Sequence, residues 1–184
     1  MRKWGNDERP IMIGMDFFDR IREEGGYYVD KTAFIDRLLE GKGVYIFTRP
    51  RRFGKTLNLT MMDAYFNVRY KGNTWFDGLR ISELRPDDPM KNSFTVINLS
   101  MKDLKTNSYE DYLWKLGRKI GDIYDLFPEL ERSERISNRQ KTSYRDISMM
   151  SADEKTLQLS LFDLTRMLEA EYGRKVILLI DEYD

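Results

Sequence analysis

The order of three short segments constrains this chain most. Val44-Tyr45-Ile46-Phe47-Thr48 is rich in β-branched and aromatic residues and predicts a short buried strand. It runs directly into Arg49-Pro50-Arg51-Arg52-Phe53-Gly54-Lys55-Thr56, a tight basic loop. A helix is expected next, from about Leu57 to Val68, carrying Leu57, Leu59, Met61, Met62, Tyr65 and Phe66. Strand, loop and helix in that order call for a layered α/β architecture. Far downstream, the continuous apolar run Val176 to Ile180 predicts another strand, closed by Asp181-Glu182.

The remaining text supplies elements around these two strands. Asp30 caps an expected helix through Glu40, with Phe34, Ile35, Leu38 and Leu39 on one face and Gly41 and Gly43 as its stop. Residues 70–92 are punctuated by Gly and Pro and predict loop. Phe94 to Leu99 is a further strand candidate, and Ser108 opens an amphipathic helix with Tyr112, Leu113, Leu116, Ile120, Ile123 and Phe127 on its stripe. Residues 129–150, dense in charge and hydroxyls, predict a flexible excursion. Ser151 to Glu154 has the form of a capping box before a helix bearing Leu157, Leu161, Leu164 and Leu168, with Gly173 at its end. Residues 1–10 are expected as a mobile lead-in.

Composition narrows the chemistry. The chain has 184 residues, no Cys and no His, so thiol nucleophiles, imidazole bases and zinc fingers are excluded. Catalysis would fall to carboxylates, Lys, Arg, hydroxyls or an oxygen-ligated cation such as Mg²⁺. With 31 basic and 31 acidic side chains the net charge is zero, and no global field favours nucleic acid. No apolar run approaches a membrane span or a signal peptide, and the expected location is the cytoplasm, with no membrane partner.

The chemistry concentrates in two places. Backbone recognition of phosphate needs converging amides and a Gly where no Cβ fits, and a loop opening a helix offers both. Lys55 would then reach the β- and γ-phosphates and the Thr56 hydroxyl would bind Mg²⁺. The full phosphate-loop pattern asks for Gly five residues before Gly54, where Arg49 stands. The competing reading is an ordinary basic surface turn. At the other place, Asp181 ends a buried strand and could hold Mg²⁺, while Glu182 could polarise water; equally, acids close many strands at a solvated edge. Arg49, Arg51, Arg52 and Lys55 suit a triphosphate, a nucleic-acid backbone or plain solvation. Phe17, Phe18, Tyr27 and Tyr28 offer an adenine-stacking surface or, as the larger expectation, core packing.

Ile13-Gly14, Asp16-Phe17, Tyr28-Val29-Asp30-Lys31-Thr32, the stretch from Phe47 to Leu57 and Leu179-Ile180-Asp181-Glu182-Tyr183-Asp184 together resemble the predicted AAA-ATPase-like family of bacterial proteins. The Arg-Pro-Arg-Arg-Phe-Gly-Lys-Thr loop is a trait of that family. The resemblance covers about residue 11 to the end and implies a three-layer P-loop NTPase core with a mainly parallel sheet, expected here as truncated after the Walker B strand. It implies ATP and Mg²⁺ as cofactors and nucleotide hydrolysis in the complete domain. Arg51, Arg52, Phe53, Gly54, Lys55, Thr56 and Leu57 would bind nucleotide, Thr56 and Asp181 the metal, and Glu182 would be the base, with Lys55 beside it in catalysis. Family members commonly continue into a nuclease-like domain, which makes nucleic acid a possible partner. A nucleotide-gated or nucleic-acid-binding module with little hydrolysis is the alternative, and nothing in the sequence argues for or against an oligomer.

Overall fold

The computed structural model describes residues 9–41, 43–48, 50 and 53–182. They form an α/β chain in two compact units, divided between Ser93 and Phe94.

The first unit is helical. It carries α1 (Phe18–Glu23), α2 (Ala33–Glu40), α3 (Lys55–Phe66), a 3-10 turn at Val68–Tyr70 and α4 (Arg80–Leu84). Aromatic side chains fill its core. The Phe18 ring lies 5.1 Å from Tyr28 and 4.8 Å from Phe76, and Phe76 in turn meets Tyr65 edge-on at 5.1 Å. Met61 and Met62 are buried beside them. Such rings contribute through apolar area and through edge-to-face contact.

The C-terminal end of α3 is closed from a distance. The buried Asn92 amide donates to the carbonyls of Ala64, Tyr65 and Asn67 at 2.9, 3.2 and 3.0 Å, and its own oxygen accepts from Asn73. The Asn92 backbone amide also donates to the Tyr65 carbonyl at 2.7 Å, so main chain and side chain of one residue together serve carbonyls at the end of the helix, as a further turn would have done. The region expected as loop, residues 70–92, thus starts at the last residue of a 3-10 turn and contains α4 and this cap.

The run Val44–Thr48 is not a strand. Val44 is 93% exposed and Ile46 69%, and no ladder forms along them. Strand propensity reflects packing on a paired, half-buried surface, and among the described residues no strand pairs with this run. It is held instead by side chains: Phe47 packs on Phe34 with ring centroids 5.0 Å apart, and the Tyr45 hydroxyl donates to the Leu38 carbonyl.

The second unit holds a two-stranded parallel sheet and its crossover. β1 (Val96–Ser100) and β2 (Ile177–Asp181) pair in the register Val96 with Ile177 through Ser100 with Asp181. Between them run α5 (Tyr109–Tyr124), a 3-10 turn at Pro128–Arg132, α6 (Asn138–Ser148) and α7 (Glu154–Tyr172). A parallel pair requires such a long connection. Ile97 and Leu99 of β1 join Ile120, Tyr124, Tyr144, Leu164, Met167 and Leu168 in one core. Leu178 and Ile180 of β2 stay more than a third exposed, because among the described residues β2 has a ladder neighbour on one side only.

Caps explain where these helices start. The Ser108 hydroxyl accepts from the Asp111 amide and Glu110 and Asp111 occupy the first turn of α5, where acids complement the helix dipole. Residues 129–150, expected as an excursion, contain the 3-10 turn and α6. A capping box between Ser137 and Gln140 starts α6, and Tyr144 and Ile147 anchor it in the core. α7 is capped by Asp153, which accepts from Thr156 at 2.8 Å, and not by Ser151. Gly173, at φ 70°, ends it in the left-handed conformation that glycine adopts without a Cβ clash. Two buried tyrosines tie the layer together: Tyr124 donates to the Ser160 carbonyl at 2.7 Å, and Tyr144 to the Tyr124 carbonyl at 3.1 Å.

Candidate functional site

Gly54 opens α3 from the left-handed region, at φ 73° and ψ 30°. A residue with a side chain would be strained there, which accounts for glycine at this position. Its carbonyl accepts from the Asn58 amide at 3.0 Å, so the helix begins at once behind it. The first turn is Lys55-Thr56-Leu57, partly buried, with no acidic side chain and no side-chain cap at Gly54. A helix start of this kind presents amide hydrogens and the positive end of the dipole, which is a setting suited to an anion. Phe53, just before it, is 59% exposed. Arg49, Arg51 and Arg52, named from the sequence as phosphate-binding cations, lie outside the described residues.

A cation that sequence reasoning assigned no role stands at this turn. Lys31 precedes α2, and a methyl group on the Gly54 Cα would stand 3.9 Å from its Nζ. The backbone around Lys31 is held from several directions. The Asp30 carboxylate accepts from the Thr32 amide at 2.8 Å, the Thr32 hydroxyl at 2.7 Å and the Arg80 amide at 2.7 Å, while the Thr32 hydroxyl accepts from the Ile81 amide. Partial burial alone would raise the Asp30 carboxyl, but these three donors together hold it below its usual range. The sequence carried one signal for this arrangement, the Asp-Lys-Thr triplet at a helix entry, yet nothing in it places Lys31 beside a residue 23 positions away.

The acidic pair lies in the second unit. Asp181 is the last residue of β2, opposite Ser100, and its carbonyl accepts from the Met101 amide at 2.9 Å. Its carboxylate accepts from the Glu182 amide at 3.0 Å. Glu182 is exposed and left-handed, at φ 51°, a conformation that costs a residue with a Cβ about 1 kcal/mol or more. Among the described residues no three acidic side chains gather as a cage for a metal ion.

The aromatic stretch divides in two. Phe18 and Tyr28 are core, and burial raises the Tyr28 hydroxyl to about 12. Phe17 and Tyr27 face solvent, under the guanidinium groups of Arg20 and Arg9. No described helix is long and apolar enough to cross a membrane.

Comparison with known proteins gives a consistent frame. Over 178 residues, 96% of this chain, it is 29% identical to a protein of Azotobacter chroococcum mcd 1 described as "Uncharacterized protein in vnfD 5'region". The chain spans 29% of that relative's length. No solved structure matches. The family model described as "Predicted AAA-ATPase" matches residues 12–184, and the chain belongs to that family.

Proposed function

We propose that the protein binds a nucleoside triphosphate, ATP with Mg²⁺, at the start of α3 and that the complete domain hydrolyses it. The observation that carries this reading is the left-handed Gly54 leading directly into Lys55-Thr56 at the head of a helix with no acid in its first turn. The family's name supports nucleotide use in general.

In this reading Gly54 lets the backbone come close to the phosphates, and the amides of the first turn donate to them. The Lys55 ammonium would offset the charge that develops on the γ-phosphoryl oxygens. The family resemblance makes the Thr56 hydroxyl and the Asp181 carboxylate the candidate magnesium ligands, one in each unit. Hydroxyl and carboxylate oxygens are donor types that magnesium takes, with phosphates and water completing its shell. When bound, magnesium would neutralise charge on the β- and γ-phosphates. Glu182 would orient the attacking water. A three-layer P-loop core completed around β1 and β2 belongs to the same proposal.

Calorimetric titration with ATP and magnesium, paired with a phosphate-release assay, tests it. Lys55→Ala is expected to weaken binding at least about tenfold, and Glu182→Gln to leave binding intact while turnover falls by about two orders of magnitude or more. Equal ATP binding by the wild type and Lys55→Ala would remove the reading. Tight binding with no phosphate release would turn it into a nucleotide-gated module.

A further inference from the structure

We draw no further inference here: the strongest candidate, the half-open cavity of about 620 Å³ between the C-terminal end of α3 and residues 71–92 of the first unit, carries nothing, because Tyr65, Arg85, Asp88 and Asn92 on its wall already have partners inside the protein and nothing in the structure shows what would occupy it.

Discussion

At the scale of single residues, conformation and charge decide what the site can do. Gly54 is set by its φ of 73° and not by lack of room, since the nearest atom to an added methyl group is 3.9 Å away, an ordinary contact. Gly54→Ala should therefore lower stability by about 1–2 kcal/mol through backbone strain, and weaken ATP binding as the turn shifts; denaturant unfolding and titration would read the two effects. A variant as stable as the wild type would show that the left-handed turn is not retained in solution. Asp30 gives a pH signature. Its carboxyl lies below the usual 3.8 in the folded chain, so the stability it contributes is complete above that pH and is lost as pH falls through the lowered value. Asp30→Asn should thus melt below the wild type at pH 7, with a gap that narrows once pH drops under 3.8. A gap of constant size across melting curves from pH 7 to pH 2 would mean that Asp30 acts through shape alone.

At the scale of elements, the helices owe their ends to side chains, some local and some remote. Ser108, Ser137 and Asp153 cap from within their own sequence, and this chemistry is readable in advance for α5 and, with a shift of the cap from Ser151 to Asp153, for α7. Asn92 is different. It closes α3 from 26 residues beyond the helix's last residue, Phe66, and its left-handed φ of 49° is a conformation that Asn tolerates better than most. Asn92→Ala removes the amide, takes away the donor that reaches the Ala64 carbonyl and puts a less tolerant residue in that conformation. A cost of about 1–3 kcal/mol is expected by urea denaturation, with faster hydrogen exchange at the end of α3. Exchange unchanged there would place the stabilisation elsewhere. The strand expected at Val44–Thr48 makes the complementary point: its composition is right for a strand, but a strand exists only when a neighbour takes up its backbone groups.

At the scale of the whole molecule, the residues proposed for nucleotide fall in both units, Gly54 to Leu57 in the first and Asp181 and Glu182 in the second. The second unit's core is drawn from the sheet, three helices and the segments between them, and Leu164 is one of its members with no exposed surface. Leu164→Ala should destabilise that unit by about 2–5 kcal/mol, a large part of a domain's usual stability, measurable by denaturation and by lost amide protection in α5 and α7. Protection as in the wild type would mean that the core closes over the cavity.

The sequence by itself determined the long periodic helices, two strands expected at 94–99 and 176–180 and found at 96–100 and 177–181, and the glycine before Lys55-Thr56, because each is dictated by neighbours within a few positions. It was enough to identify the family from a handful of short motifs. Tertiary structure alone decided that Val44–Thr48 lacks a ladder in the described chain, that Tyr144 and Ile147 draw a charged stretch into the core, that Asn92 closes α3, and that the Lys31 ammonium lies against Gly54. All four depend on contacts between residues distant along the chain, where local propensity and spacing carry no information and packing, pairing and burial do.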